Sequence, residues 1–155
     1  MTPGSDKTTR RTALTAAGAG LAAVFTANNV ARAAEWTSAE KSNVQVVNDF
    51  CAAWPSHDAG KIMSFFADPC AYRMTETVEP AKGRQAVTDR ITGIVDRVQR
   101  FEVLDTFAKG PMVINERIDH FNGGGLKSWH GVGVFFLKDG KIVEWYDYTI
   151  ALERA

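Results

Sequence analysis

Beyond residue 36 the apolar positions of the chain recur first at helical spacing and then, after residue 100, in alternation. Thr37-Ser38-Ala39-Glu40 is a capping-box pattern that opens a helix. Val44, Val47, Phe50, Cys51 and Trp54 follow on one helical face, and Pro55 ends it. Asp58 is placed to cap a second short helix with Ile62, Phe65 and Phe66 as its stripe. Cys70–Met74 reads as a short strand, and Gly83–Val98 as a third helix with Val87, Ile91, Ile94 and Val95 on one side. Four strands then follow, Phe101–Ala108, Met112–Phe121, Leu126–Lys138 and Lys141–Leu152, rich in Val, Ile, Phe, Trp and Tyr. Helices first and a strand meander afterwards predict an α+β fold, with three N-terminal helices packed on one face of a sheet.

Hairpin counting predicts which side chains share a face. Asp139-Gly140 is a two-residue type I′ signal, so Lys138 should face Lys141, Val134 should face Trp145, and Val132 should face Asp147. A four-residue turn at 122–125 places Asn115 opposite Val132 and Arg117 opposite His130. In that register Asn115, Arg117, Asp119, His130 and Asp147 point to one side, among Val132, Val134, Phe136 and Trp145. A slip of one residue would reverse the assignment.

Two aspartates around one arginine form an unequal charge set. Burial raises a carboxylate pKa and a guanidinium lowers it, so a pair with one Asp ionised and one protonated is favoured. That division supplies a general base and a general acid. The planar fork of Arg117 can hold both. The plainer reading is a structural ion pair on adjacent strands, with the apolar residues as ordinary core.

Composition narrows the classes further. The 155 residues balance 18 basic against 18 acidic side chains, which gives no electrostatic case for nucleic acid. Residues 1–33 read as a twin-arginine-type export signal: Arg10-Arg11, a weakly apolar run from Ala13 to Ala27, then Ala31-Arg32-Ala33 before a cleavage point. An aromatic residue is usual where Ala13 stands. The run is too short and too weak to span a bilayer. Cleavage after Ala33 leaves a domain from residue 34 to 155 with a net charge of about −3, bound for the periplasm or the medium of a bacterium, with no stable membrane insertion. Cys51 and Cys70 do not make a disulfide framework; Cys51, on a helix stripe, reads as a buried thiol, and a Cys51–Cys70 bridge stays open. His57, His120 and His130 lack metal-ligand spacing, and Gly123-Gly124-Gly125 lies in a hairpin, not before a helix where a phosphate loop would be.

"ERIDHF" and "GVFFLKDGKIVEWYDY", with "HDAGKIMSFFADPCAY" and "KGRQAV" upstream, resemble the limonene-1,2-epoxide hydrolase family. That family belongs to the SnoaL-like, nuclear transport factor 2-like superfamily of cone-shaped folds, with ketosteroid isomerases and polyketide cyclases. The resemblance implies a curved sheet around an apolar pocket, a homodimer, and hydrolysis of a small apolar epoxide to a vicinal diol without cofactor or metal. It assigns Asp147 as the base that deprotonates water, Asp119 as the acid, Arg117 as their bridge and Tyr72 as a water-positioning group. Met74 stands where the family has an asparagine, the loop before Pro80 is a residue longer, and Tyr146 stands where relatives often have arginine. Asn115 is the residue on the pocket face that could substitute for the missing asparagine. An isomerase or cyclase, or a binding protein without turnover, are the alternatives.

Overall fold

The computed structural model describes residues 35–154, so the expected export signal lies outside the described residues. Helix α1 (Ser38–Ala53) begins at the Thr37 capping box: the Thr37 side chain accepts from Glu40 N, and Glu40 accepts from Thr37 N. Buried Glu40 also accepts from Gly110 N at 2.7 Å, which ties the start of the helix to a strand turn 70 residues away. A 3₁₀ turn (Trp54–Ser56) and α2 (Ala59–Met63), capped by Asp58, follow. Then come β1 (Phe66–Arg73), β2 (Ala81–Lys82) and α3 (Arg84–Thr92). The third helix stops at Gly93, and a separate 3₁₀ turn (Val95–Arg97) carries the chain into the sheet.

The sheet strands are β3 (Val98–Lys109), β4 (Met112–Phe121), β5 (Leu126–Lys138) and β6 (Lys141–Arg154). With β1 and β2 they form one curved six-stranded sheet in the order β2-β1-β6-β5-β4-β3. The sheet is mixed, because β1 runs parallel to β6 while every other pair is antiparallel. Phe50 of α1 anchors the core between helix and sheet, with Trp54, Phe65, Phe66, Phe135 and Trp145 all edge-on to it at centroid distances of 5.0–5.9 Å. Among the described residues no helix is long and apolar enough to cross a membrane.

The register differs from the counted one at both hairpins. Asn122 continues the β4 side, and the turn is the three residues Gly123-Gly124-Gly125, each with φ between 72° and 75°. Only glycine adopts three such conformations in succession without strain. The shorter turn moves the pairing by one, so Asn115 faces Gly133 and Arg117 faces Gly131. At the second hairpin Lys138 does face Lys141, but a bulge follows: Leu137 pairs with Ile142 and Phe136 with Glu144, leaving Val143 as the extra residue. Asp147 therefore faces Gly133, and Trp145 faces Phe135.

His130, Val132, Val134 and Phe136 consequently stand half-buried on the outer face of the sheet, not beside Arg117. His130 accordingly meets Glu116 at 2.8 Å on that outer side. Phe135, which the counted register puts on the face opposite Arg117, is fully buried on the same side as Trp145. Phe135→Ala should therefore cost about 3–5 kcal/mol, the range for deleting a core aromatic. Phe136→Ala should cost less than half of that. Equal losses in chemical denaturation would contradict this register.

Candidate functional site

The buried side chains of β4 are Val113, Asn115, Arg117 and Asp119, so an apolar strand turns polar along one face. Arg117 is fully buried and makes four hydrogen bonds. Its Nε donates to Asp119 Oδ1 at 2.8 Å, and its Nη2 donates to Asp119 Oδ2 at 3.2 Å and to Asp147 Oδ1 at 2.9 Å. Nη1 donates to Asn115 Oδ1 at 3.1 Å. The guanidinium also lies 4.8 Å from the Phe101 ring centroid, 5.1 Å from that of Trp129 and 5.5 Å from that of Trp145. Two carboxylates, an amide oxygen and three aromatic faces thus replace its water.

Arg117 reaches Asp147 by crossing a whole strand, since β5 separates β4 from β6. Gly133 on β5 lies between Asn115 and Asp147, and a Cβ there would collide with Arg117 Nη1 and come within 2.9 Å of Asn115 Oδ1. At Gly131 a Cβ would collide with the Trp129 ring, which covers the guanidinium. The bare strip of β5 is what lets an arginine lie flat on the sheet.

Asp119 and Asp147 both form part of the wall of a cavity of about 420 Å³. Tyr72 and Met74 join them from β1 and its following loop, with Ile94, Val98, Phe101, Phe121, Leu126, Trp129 and Leu152 as apolar wall. Asp147 Oδ1 is taken by Arg117 and by the Trp145 indole N–H at 2.7 Å; Oδ2 has no hydrogen-bond partner among the described residues. Tyr72 stacks on Trp145 at 3.9 Å with an interplanar angle of 11°, and its hydroxyl bonds to no described residue.

Burial dominates the electrostatics. It pushes Asp119 up to about 7 against the pull of Arg117, with the charge of Asp147 adding to the rise. It pushes Asp147 to about 6, restrained by Arg117 and by the Trp145 donor. Arg117 is held firmly protonated: burial alone would loosen its proton, and the two carboxylates more than compensate. Tyr72 is raised well above the phenol range by burial and then by Asp147, so it is an uncharged phenol. Both carboxyls are therefore raised toward neutrality, and because they face one guanidinium they titrate as a pair.

Besides Tyr72, Asp119 and Asp147, Met74 alone of the residues expected around the pocket lines the cavity. Trp145 sits behind the wall as the donor to Asp147, while His130, Val132, Val134 and Phe136 are on the far side of the sheet. Asn115 is not a substitute for the asparagine that Met74 replaces. It lies beside Arg117 on the same face of β4, with Nδ2 donating to Cys51 Sγ of α1 at 3.4 Å, and is no part of the cavity wall. Cys51 and Cys70 are both free and buried, and burial pushes the Cys51 thiol up to about 12. Among the described residues no three His, Cys, Asp or Glu side chains group as metal ligands would. Phe101, Trp129 and the two glycines are the members of the site that counting missed. In the sequence the alternation Gly131-Val132-Gly133 marks the two glycines alone.

Gly133→Ala should destabilise the protein by about 1–3 kcal/mol through overpacking against the buried guanidinium. A thermal melt no different from that of the parent would show that the strip is not needed.

A SnoaL-like domain model matches residues 47–145, well over half of the chain. Solved structures share the fold at low identity. A Mycobacterium tuberculosis LEH-like epoxide hydrolase is 23% identical over 72% of this chain and 84% of its own, with a TM-score of 0.63. SalBIII, an epoxide hydrolase/cyclase-like enzyme of pyran ring formation in the polyether salinomycin, is 18% identical over 72% and 92%, with a TM-score of 0.66. A putative polyketide cyclase from Xanthomonas campestris pv. campestris is 19% identical over 73% and 93%, with a TM-score of 0.60. With its mixed sheet, few helices and a cavity above the sheet face, and with the family model matched over most of its length, the chain belongs to the SnoaL-like domain family.

Proposed function

We propose that the protein is an epoxide hydrolase acting on a small apolar epoxide. The observation that carries this reading is the single guanidinium joining two cavity-wall carboxylates, both raised by burial toward neutrality. Asp147 Oδ2 takes a proton from a water as the water oxygen attacks a ring carbon. The C–O bond of that carbon breaks, and Asp119 delivers its proton to the departing oxygen. The diol leaves with Asp147 protonated and Asp119 ionised, and exchange with solvent at the cavity mouth restores the starting state. Arg117 keeps its proton throughout and spreads the charge that moves between the two carboxylates. Tyr72 provides a phenol beside Asp147 to hold the water.

Met74 favours a second reading, a binding protein of the same pocket without turnover. A thioether is a weak acceptor and no donor, so it cannot hold the water as an amide would.

Under the hydrolase reading, turnover needs Asp147 ionised and Asp119 protonated. The rate should fall below about pH 6 as Asp147 gains a proton, and above about pH 7 as Asp119 loses its own. Asp147→Asn should reduce diol formation from terpene or styrene oxides by at least about 100-fold. Diol formation that survives this substitution removes the proposed base. Tight binding of apolar ligands with no hydrolysis by the parent protein favours the second reading.

The outer face, with Ile114, Ile118, Val132, Val134 and Phe136 half-buried and Tyr148 exposed, is proposed as the contact of a homodimer. Sedimentation at micromolar concentration should give a dimer, and Val132→Glu a monomer. A parent protein that sediments as a monomer ends that part of the proposal.

A further inference from the structure

The mouth of the cavity carries an unused cation. Arg97 lines the cavity and is exposed, and its side chain makes no hydrogen bond or ion pair among the described residues. Its backbone is fixed: Arg97 N donates to Ile94 O at 3.0 Å, and Arg97 O accepts from Asn122 N at 2.8 Å. Its guanidinium rests by the glycine turn, with Nη1 3.4 Å from where a Gly124 Cβ would be. Along the inner face of β4 the order is Asp119, Phe121, then Gly123 at the rim, and all three line the cavity. Four steps at roughly 3.3 Å per residue span at most about 13 Å, which sets the rim on the order of 10 Å from the proton donor. Val98, Phe121, Ile94 and Leu126 fill that interval with apolar wall.

The other charged group at the mouth is already engaged. Glu76 accepts from Thr149 N at 3.1 Å and from Thr149 Oγ1 at 3.2 Å, on the β6 side of the opening. Thr149 is in turn held by the Trp129 indole N–H at 3.0 Å. The opening is therefore positive and unpartnered on its β3–β4 side, and negative and internally bonded on its β6 side. A ligand with an anionic head is drawn to the first and turned from the second.

We propose that the ligand is an amphiphile: an apolar chain carrying a carboxylate, held by Arg97, on the order of 10 Å from the group that meets Asp119 and Asp147. For the reaction this rests on the hydrolase reading and makes the substrate class a medium-chain epoxy acid. For binding it stands without that reading. Arg97 is a specificity-determining residue that touches only the head group, so its removal acts on KM and leaves kcat in place.

The test pairs two measurements on the parent protein, Arg97→Gln and Arg97→Lys, each checked by thermal melt. Calorimetric binding of undecanoate and of methyl undecanoate needs no turnover. The parent should prefer the acid by about fivefold to tenfold, a margin that shrinks with added salt. Arg97→Gln should abolish the preference by weakening the acid alone, and Arg97→Lys should keep most of it. Hydrolysis of epoxyundecanoic acid and its methyl ester should show the same ratio in kcat/KM, carried by KM. Equal affinity for acid and ester, no binding of the acid, or a preference that survives Arg97→Gln overturns the proposal. If the ester is hydrolysed but Arg97→Gln changes nothing, the head-group proposal fails and the hydrolase reading stands. If neither epoxide is hydrolysed but acid binding depends on Arg97, the reverse holds.

Discussion

Burying a guanidinium flat against a β-sheet is the constraint on which the rest of this protein depends. A charge removed from water must be paired, and breaking such a pair from one side leaves an uncompensated ion. Arg117 meets that demand with two carboxylates on different strands, an amide beside it and three rings around it. Every one of those partners has to be delivered in register. The glycine strip on β5, the bulge at Val143 and the short turn at Gly123–Gly125 are the backbone features that deliver them.

Much of this was legible in the sequence because it is local. The Thr37 capping box, the Asp58 cap, the Asp139-Gly140 turn and the alternation of β4 each depend on residues a few positions apart. The grouping of Arg117, Asp119 and Asp147 was also correctly expected, though by an instructive route. Counting missed the three-residue turn before β5 and the bulge after Leu137. Each error shifts β5 by one position, once against β4 and once against β6. The two shifts cancel between the outer strands, so the charged set stayed together while the face of β5 was inverted. That is why His130, Val132, Val134 and Phe136 were expected in the pocket and stand outside it.

Other features had no local trace. The parallel pairing of β1 with β6 joins segments some 70 residues apart, and nothing in either strand specifies it. The two-residue β2 is too short for periodicity to reveal. The cage around Arg117 draws Phe101 from β3, Trp129 from β5 and Trp145 from β6, three strands that only the folded sheet brings together. Asn115 shows the converse case. Its face was rightly placed, but both ends of its amide are taken, by Arg117 and by Cys51 of α1, and alternation does not report such partners.

The hydrogen bond from the Trp145 indole to Asp147 has a stereochemical consequence. With Oδ1 occupied by both Trp145 and Arg117, a single oxygen of Asp147 faces the cavity. It does so from the β6 wall, while Asp119 faces the cavity from the β4 wall, with the bare strip of β5 between them. Under the proposed hydrolase reading, a strained ring held between those walls would receive its nucleophile from one and lose its oxygen toward the other. Such a site is handed: it would open the ring with inversion at one carbon, and the two mirror forms of a substrate would present different carbons to the same oxygen.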